Sequence, residues 1–591
     1  MRRRIRTATS ALVLTTVLAT LLAGCAPGDV ANADSVPGII PLPDSYEPHT
    51  GDEPFRLTES TRIVVEGDAG SPAVADVAEL LAARLRIATG YEIPVLQGEP
   101  ETSLRQAQGT ADIALALGDG GDPSSEAYAL EVGDDGVRIT ADAPAGLFWG
   151  VQSLRQLLPA EIDGAGAAQP DGGWVAPAVS IEDSPRFSYR AASLDVARHF
   201  FPVDDVKRYI DEIAALKLNV LQLHLTDDQG WRIRIDSWPK LTEVGGQTSV
   251  ELNGSRPGFY TKDDYREIVE YAAARFVTIV PEIDLPGHTN AALHAYPELT
   301  CDGVDPGSYA GIDVGFSSLC AAPERAEVTD RFLADVLGEL AAMTPGPWIH
   351  VGGDEAHNTP KADYVDLVNR ITSIAAATGK TVVGWHEMGA STSLPDGMIG
   401  GYWGFTRPEG DSADLAKSFV DQGGKLLMMP ADVAYMDMVY PDRPQNALGH
   451  SLGLEWAQGA TTIEEAYGWE PTAIVPGVDE DDILGVVAAL WTETITSIDD
   501  AEFMVFPRAA GIAEIGWSPK PPEPDQTAVP ASPPASRPRR AATATCPATS
   551  SGSSTSARIG TPQTSTSSGC AEWTGASSAS HTAPTRSNPT G

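Results

Sequence analysis

The residues of this chain best suited to chemistry are Asp354 and Glu355, two adjacent acids at the end of an apolar run from Trp348 to Val351. Neighbouring side chains on a strand point to opposite faces, so both acids reach one ligand only if the backbone leaves strand geometry. Gly352 and Gly353 permit that departure, because glycine adopts conformations closed to other residues. The pattern therefore predicts a site for acid and base chemistry.

Taken alone, this segment has two other interpretations. Adjacent acids also begin helices, since negative charge in a first turn is favoured by the helix dipole. His350 and His357 flank the acids, so a metal site is the second alternative. The segment lacks the two-histidine helical spacing of HExxH, which argues against a metal. We expect neither a metal nor a cofactor.

From about residue 190 onward, short apolar runs alternate with amphipathic helical patterns, as in a parallel sheet closed by crossover helices. The candidate strands are Ser193 to Val196, Val220 to Leu225, Val277 to Ile283, Trp348 to Val351, Thr381 to Trp385, Met398 to Trp403, Lys425 to Met429 and Val486 to Trp491. Eight such units over about 330 residues fit a (β/α)8 TIM barrel, whose active site lies at the carboxyl ends of the strands.

Apolar residues at 3.6-residue spacing mark three crossover helices, within Val206 to Leu216, Tyr265 to Ala272 and Val328 to Leu340. Thr261, with Asp264 three residues on, predicts a capping-box-like start for the second of them.

The predicted strand ends carry polar and aromatic residues: Arg198, Asp227 with Asp228, Asp284 with His288, Asp354 with Glu355, Trp385 with Glu387, Trp403, Tyr435 with Asp437, and Trp491 with Glu493. Each residue alone has a bland explanation, such as packing or helix capping. Together they describe a sugar pocket, because pyranose rings lie on aromatic faces and their hydroxyls need charged partners. A phosphate substrate would need more cations than this set holds.

Five segments carry a family resemblance: Leu194 to Phe200, His224 to Arg232, Pro281 to His288, His350 to His357, and Leu490 to Thr494. They resemble glycoside hydrolase family 20, the β-N-acetylhexosaminidases, and the match runs from about residue 38 to 519. The resemblance implies a retaining exo-hydrolase that removes terminal β-linked GlcNAc or GalNAc by substrate-assisted catalysis, an exception to the two-carboxylate rule for glycosidases. The implied partners are oligosaccharides ending in these sugars, with chitooligosaccharides as the expected natural substrate.

The resemblance also implies a role for each site residue. Glu355 would be the general acid and then the base, while Asp354 would orient the acetamido group and stabilise its developing charge. Tyr435 would donate its hydroxyl to the acetamido oxygen, and the walls of the sugar site would be Trp385, Trp403 and Trp491. Arg198 would contact the O3/O4 side of the sugar, and Asp437 and Glu493 would contact the O4/O6 side. Asp227 and His288 would form a polar relay behind Glu355.

The chain divides into several predicted segments around the barrel at residues 186–519. Residues 38–185 are predicted to form a smaller α/β domain, with a strand at 61–65, a helix at 73–87 and a strand pair from Tyr128 to Ile139 around the turn Gly133 to Gly136. The resemblance identifies it as the family's non-catalytic N-terminal domain.

The N-terminus predicts export. Arginines within the first six residues precede an apolar segment from Ala11 to Leu22, which is too short to span a bilayer and reads as a signal peptide over residues 1–24. The sequence Leu-Ala-Gly-Cys ending at Cys25 resembles a bacterial lipobox, in which Cys25 is lipidated and residues 25–37 form a tether. Ordinary secretion is the alternative. We expect an extracytoplasmic protein that meets the membrane only through a lipid anchor.

Charge and cysteines agree with an exported enzyme. The formal net charge of −41 excludes nucleic acid and anionic membrane surfaces as expected partners. Of the five cysteines, Cys301 and Cys320 lie in one loop between a strand and a helix. In an oxidising compartment they are expected to form a disulfide.

Residues 520–591 lose apolar periodicity and become rich in Pro, Ser, Thr and Ala, which predicts a disordered low-complexity tail. Family members usually continue with helices, so we interpret the tail as a frame-shifted product; a native wall-spanning stalk is the alternative.

Two other functions stay open from the sequence. A silent sugar-binding lipoprotein would keep the tryptophans and Arg198 but need not keep Asp354 and Glu355. A glycosidase of another specificity, such as a disaccharide-releasing relative, would keep both acids.

Overall fold

The computed structural model describes residues 38–520, except 67–71, 99–110, 119–120, 123, 167 and 253. The predicted signal peptide, the lipidation site Cys25, the tether and the low-complexity tail beyond residue 520 lie outside the described residues. Within them, no helix combines the length and apolar character needed to cross a bilayer.

The first part of the described chain forms an α/β domain. Its strands are β1 (Ser45–Pro48), β2 (Phe55–Leu57), β3 (Ile63–Glu66), β4 (Val95–Gly98), β5 (Asp112–Leu117), β6 (Tyr128–Gly133), β7 (Gly136–Ala141), β8 (Trp174–Ala176) and β9 (Val179–Asp183). Seven of them form one sheet in the order β1-β9-β6-β7-β5-β3-β4, and β2 pairs with β8. Helices α1 (Pro72–Thr89) and α2 (Pro144–Leu157) accompany the sheet.

Sequence pattern explains the strongest elements of this domain. Helix α1 buries Val74, Val77, Leu81 and Leu85. These residues are three or four positions apart, so they lie on one face of the helix. Strands β6 and β7 form the predicted hairpin around residues 133–136. Six strands of this domain were not predicted, namely β1, β2, β4, β5, β8 and β9. Strands β1, β2, β4 and β8 have only three or four residues and carry little periodicity.

The second part is a closed barrel of eight parallel strands, which confirms the predicted fold class. The barrel strands are β10 (Tyr189–Asp195), β11 (Val220–His224), β14 (Thr278–Glu282), β15 (Trp348–His350), β16 (Thr381–Trp385), β17 (Ile399–Tyr402), β18 (Lys425–Met428) and β19 (Ile483–Ala488). Between β11 and β14, a separate small hairpin consists of β12 (Thr226–Asp227) and β13 (Gly230–Trp231). The register between β10 and β19 closes the barrel.

All eight predicted barrel strands exist, although seven of them differ from the predicted range at one or both ends. Strand β16 matches the predicted range. Strand β19 ends at Ala488 instead of Trp491. The predicted strand was too long at this end because the sequence stays apolar beyond the last residue that pairs with neighbouring strands. There Leu490 donates its N–H to the Ser193 hydroxyl, and its carbonyl accepts from the Asp195 N–H. Apolar residues therefore continue past the strand and cover the barrel end.

The remaining helices follow the barrel strands. They are α3 (Val203–Ala215), α4 (Lys240–Glu243), α5 (Lys262–Ala273), α6 (Asn290–Ala295), α7 (Ala326–Met343), α8 (Lys361–Ala376), α9 (Ser412–Asp421), α10 (Ala431–Ala434), α11 (Ile463–Tyr467), α12 (Ile498–Val505) and α13 (Arg508–Trp517). The three predicted crossover helices are α3, α5 and α7. Helix α5 begins with the predicted capping box, in which Thr261 and Asp264 each bond the other's backbone N–H.

Buried charges join the α/β domain to the barrel. Lys217 Nζ lies 2.7 Å from Asp183 Oδ2 and 4.5 Å from the centroid of the Trp517 ring. The indole N–H of Trp517 donates to Asp183 Oδ1 at 2.8 Å. Ser518, beyond the last helix, donates its hydroxyl to the carbonyl of Leu42. The end of the last helix is thus fixed to the first domain.

Candidate active site

The acid segment leaves strand geometry directly after β15. Gly352 and Gly353 have φ angles of 69° and 123°, in the region that favours glycine. A Cβ at Gly352 would lie 1.7 Å from Asp284 Oδ1, so a larger residue does not fit. Glu355 itself has a φ of 47°, which is uncommon for a residue with a side chain. This backbone path brings Asp354 and Glu355 to one cavity.

The cavity, of about 550 Å³, opens where the barrel strands end. The strand-end residues named from the sequence that line it are Arg198, Asp227, Asp284, His288, Asp354, Glu355, Trp403, Tyr435, Trp491 and Glu493. The structure therefore brings together side chains that follow strands distant in sequence.

Two further predicted contact residues, Trp385 and Asp437, are not among the residues that line the cavity in this structure. Each is only 1% exposed. The ring of Trp385 packs 6.0 Å from that of Trp491, which does line the cavity. Burial, followed by the charge of Glu493, raises the pKa of Asp437 well above its usual value. Trp385 Nε1 and both carboxylate oxygens of Asp437 have no hydrogen-bond partner among the described residues, so their contacts to a sugar stay predictions.

Arg198 is held at the cavity by carboxylates. Its guanidinium lies 2.8 Å from Asp227, 3.3 Å from Asp195 and 4.0 Å from Glu493. Burial alone would lower the pKa of Arg198, but Asp227 and Asp195 hold it well above its usual value. The guanidinium also lies 5.2 Å from the Trp491 ring centroid. One fixed cation thus stands beside an aromatic wall.

Several buried polar atoms at this end of the barrel have no hydrogen-bond partner among the described residues. Arg198 Nε and Trp385 Nε1 are donors, and Glu493 Oε2 is an acceptor. Buried donors and acceptors are normally satisfied, because leaving one unmade costs about 1–3 kcal/mol. A ligand that offers both donors and acceptors, as hydroxyl groups do, fits this mixture.

His288 connects the acid pair to Asp227. Its Nδ1 lies 3.2 Å from Asp227 Oδ1, while its Nε2 lies 3.3 Å from Glu355 Oε2 and 3.6 Å from Asp354 Oδ2. Burial alone would lower the pKa of His288, but Asp227 and Asp354 hold it well above its usual value. Burial alone would raise the pKa of Asp227, but Arg198 and His288 hold it well below its usual value. His288 and Asp227 therefore form an ion pair between an imidazolium and a carboxylate.

A buried row of titratable side chains, not predicted from the sequence, continues from Asp227. His224 Nε2 lies 3.0 Å from Asp227, His224 Nδ1 lies 3.1 Å from Glu282, and His350 Nδ1 lies 3.2 Å from Glu282. His224, Glu282 and His350 are register partners on three adjacent strands. The signal in the sequence is that each of these strands ends on a titratable residue.

Aromatic rings surround the cavity. Tyr435 lies 6.0 Å from Trp491 and 5.7 Å from Trp456, and Trp403 lies 6.1 Å from Trp456, measured between ring centroids. Trp456 lines the cavity and is 48% exposed. The sequence analysis missed it, because it lies between α10 and α11 in a segment without helical or strand periodicity.

A disulfide joins Cys301 and Cys320 and closes a loop beside the acid segment. Residues 312–314 of this loop line the cavity, a position that no sequence pattern predicts. At Gly315, an added Cβ would lie 2.3 Å from His357 Nδ1 and 3.1 Å from the carbonyl oxygen of Glu355. The loop therefore packs closely against the backbone that carries the acids.

Asp284 supports the acid segment from the neighbouring strand. It accepts a hydrogen bond from the Gly353 N–H at 3.2 Å. Burial, followed by Asp354, raises the pKa of Asp284 well above its usual value. Burial also raises the pKa of Asp354, with His288 acting in the opposite direction. His288, Asp354 and Glu355 also lie close enough to one another to share a cation.

Comparison with known proteins identifies similar chains. Residues 187–365 and 359–520 match the family model "Glycosyl hydrolase family 20, catalytic domain", and residues 36–184 match "Glycosyl hydrolase family 20, domain 2". The chain is 40% identical over 482 residues to a beta-N-acetylhexosaminidase of Cellulomonas fimi, covering 81% of this chain and 90% of that protein.

Solved structures agree in fold. A GH20 beta-N-acetylhexosaminidase from Streptomyces coelicolor A3(2) has a TM-score of 0.74 and 47% identity, covering 82% of this chain and 92% of that one. A mutant Streptomyces plicatus beta-hexosaminidase in complex with its product GlcNAc also has a TM-score of 0.74 and 47% identity, covering 82% and 91%.

Proposed function

Since the chain belongs to glycoside hydrolase family 20 and is a glycosidase of the β-N-acetylhexosaminidase type, we propose that it removes terminal β-linked GlcNAc and GalNAc by substrate-assisted catalysis. The carrying observation is the placement of Asp354 and Glu355, consecutive residues whose carboxyl oxygens both lie within 3.6 Å of His288 Nε2.

That placement disfavours a two-carboxylate retaining mechanism. Such a mechanism needs an acid and a nucleophile about 5 Å apart on opposite sides of the scissile bond. Asp354 and Glu355 instead contact one histidine from adjacent positions on one loop. The nucleophile is therefore assigned to the substrate, whose 2-acetamido oxygen attacks C1 and gives an oxazolinium intermediate.

Asp354 and Tyr435 are proposed to hold the acetamido group. Asp354 accepts its N–H and stabilises the positive charge that develops during attack. Burial, followed by Asp354, raises the pKa of Tyr435 well above its usual value, so the phenol keeps its proton. Tyr435 can therefore donate a hydrogen bond to the acetamido oxygen. Trp385, Trp403 and Trp491 enclose the sugar ring and the acetamido methyl.

Glu355 is proposed to protonate the leaving oxygen and then to activate water. His288 orients this carboxyl group, since its Nε2 faces Glu355 Oε2 and its Nδ1 is fixed by Asp227. Proton transfer from a positioned side chain typically contributes about 10²–10⁴-fold to the rate. Arg198 and Glu493 are proposed to bind hydroxyls on the side of the ring away from the scissile bond.

The test is hydrolysis of aryl β-glycosides of GlcNAc, GalNAc and glucose by the purified protein. We expect cleavage of the first two and almost none of the third, because the glucoside lacks the acetamido nucleophile. A silent sugar-binding protein would cleave none of them. Efficient cleavage of the glucoside would return the site to the two-carboxylate class.

Chitooligosaccharides are the proposed natural substrate, and the proposed location is outside the cytoplasm with a lipid on Cys25. The support for the location is the leader and the Leu-Ala-Gly-Cys sequence. Metabolic labelling with an alkyne fatty acid tests the anchor: label should enter the wild-type protein and be lost in Cys25→Ser. Equal labelling of both would exclude lipidation at Cys25.

A further inference from the structure

Glu387 is a carboxylic acid near the cavity that the mechanism above leaves without a role. It follows β16 in a short 3-10 turn from His386 to Ala390. Its Oε2 accepts a hydrogen bond from the indole N–H of Trp403 at 3.1 Å. Trp403 lines the cavity. The carboxyl group is therefore bonded to a residue of the cavity wall.

The surroundings of Trp403 leave its orientation to this hydrogen bond. Its ring meets His386 at 5.4 Å with an interplanar angle of 59°, and Trp456 at 6.1 Å with an angle of 75°. These tilted and edge contacts fill space without fixing rotation within the ring plane, whereas an N–H bond is directional. Trp456 is itself 48% exposed, so it offers a weak support on that side.

Glu387 is also placed close to the reacting groups. The charges of Asp354 and Glu355 act on it, and it acts on Tyr364, whose hydroxyl donates to the Gly353 carbonyl at 2.6 Å. Burial, followed by Asp354, raises the pKa of Glu387 well above its usual value. His386 Nδ1 lies 3.5 Å from Oε2, but burial lowers the pKa of His386 to about 4, so it forms no ion pair at neutral pH. The geometric observation is the hydrogen bond itself, in which Glu387 Oε2 accepts the indole N–H of Trp403.

We infer that Glu387 is a positioning residue, whose hydrogen bond to Trp403 holds the indole in the orientation that forms the sugar-binding wall. This inference rests on the proposed function of the site. Glu387 then acts on sugar binding through Trp403, so its loss should raise KM more than it lowers kcat. The sequence alone placed Glu387 at a strand end but did not connect it to Trp403.

A double-mutant cycle tests the contact, using Glu387→Ala, Trp403→Phe and the double variant with an aryl β-GlcNAc substrate. A hydrogen bond of about 0.5–1.5 kcal/mol corresponds to roughly 2- to 13-fold in affinity. We expect Glu387→Ala to raise KM by about 3- to 10-fold, with a smaller change in kcat. In the Trp403→Phe background, which lacks the indole N–H, Glu387→Ala should raise KM by less than about 2-fold.

Glu387→Gln is the matched control, because its amide oxygen can still accept the indole N–H and its side chain has nearly the same size. It should recover most of the affinity that Glu387→Ala loses. An equal effect of Glu387→Ala in both backgrounds would overturn the inference. So would a Glu387→Gln variant as impaired as Glu387→Ala, or one that shifts the pH profile of kcat/KM while leaving KM unchanged, because these results assign Glu387 a role through charge.

Binding of GlcNAc by titration calorimetry gives the same cycle without turnover. If the wild-type protein hydrolyses none of the aryl glycosides, the proposed function fails, and the calorimetric cycle still decides whether Glu387 acts through Trp403. If Glu387→Ala does not fold, Glu387→Gln and Trp403→Phe still decide it: Trp403→Phe must lose affinity, and Glu387→Gln must retain it.

Discussion

His288 Nε2 lies 3.3 Å from Glu355 Oε2, and this contact joins the cavity to the charges buried beneath it. The second ring nitrogen of His288 is fixed by Asp227, which is itself bound by Arg198 and His224. A change at the buried end therefore reaches the acid pair through one ring.

Glu355→Gln should abolish turnover of substrates with poor leaving groups, because the amide cannot donate a proton to the departing oxygen. The expected loss in kcat is about 10²–10⁴-fold, while activated aryl substrates should lose less in the first step. Steady-state kinetics with an aryl β-GlcNAc series of rising leaving-group pKa measures this. An equal loss across the series would contradict the assignment of Glu355 as the acid.

Asp354→Asn should slow both poor and good leaving groups, because Asp354 stabilises the charge that develops on the acetamido group in either case. A stable thiazoline mimic of the oxazolinium should bind wild-type protein far more tightly than GlcNAc, as transition-state-like ligands do. The preference should shrink in Asp354→Asn. Inhibition constants for the two ligands give the comparison. A covalent sugar trapped on a carboxylate would contradict the mechanism.

His288→Asn should move the acid limb of the kcat/KM profile to higher pH. The imidazolium of His288 lowers the pKa of Asp354, whereas burial raises it above its ordinary value of 3.8. Removing that charge raises the pKa of Asp354 further, so the required carboxylate is lost at a higher pH as the solution is acidified. The pH dependence of kcat/KM measures this shift, because it reports the pKa values of essential groups in the free enzyme.

His294→Asn is the control for this shift, because His294 pairs with Asp305 on the loop surface and lies outside the cavity lining. Its profile should match that of the wild-type protein. A His288→Asn profile that moves toward lower pH, or does not move, would show that His288 does not control Asp354.

Replacing Cys301 and Cys320 together by serine should destabilise the protein and loosen the cavity wall. A bond closing a loop of this size typically contributes about 3 kcal/mol to the free energy of unfolding. Because residues 312–314 line the cavity, KM should rise more than kcat falls. Urea unfolding and steady-state kinetics measure the two effects. Finding both thiols free in the purified wild-type protein would remove the basis of this prediction.

Lys217→Met should lower the free energy of unfolding by about 3–5 kcal/mol, because it leaves the buried carboxylate of Asp183 without its cation. Adding Asp183→Asn should recover part of that loss, since the remaining groups are neutral. Urea denaturation measures both variants. Lys417→Met, which removes a partly exposed partner of Asp421, should change stability little. A recovery that fails to appear would mean that the indole bond of Trp517 to Asp183 dominates.

Periodicity was sufficient to predict the barrel and the acid pair. Repeating strand and helix patterns indicate element type, and the glycines before Asp354 indicate where a strand must end. The loop at residues 312–314 and Trp456 were missed because irregular segments have no period, and only the folded chain places them at the cavity. The sequence also does not predict which strand-end side chains reach the cavity surface. Trp385 and Trp491 both lie at predicted strand ends, but only Trp491 lines the cavity.

The contact of Trp517 with Asp183 has a consequence for how the polypeptide is made. The two residues are 334 positions apart, so at roughly 5–20 residues per second the ribosome needs tens of seconds to supply the second after the first. During that interval the Asp183 and Lys217 charges lack the indole that covers them. The first domain therefore emerges incomplete, and a chain terminated anywhere before Trp517 is expected to become a substrate for chaperones and proteases.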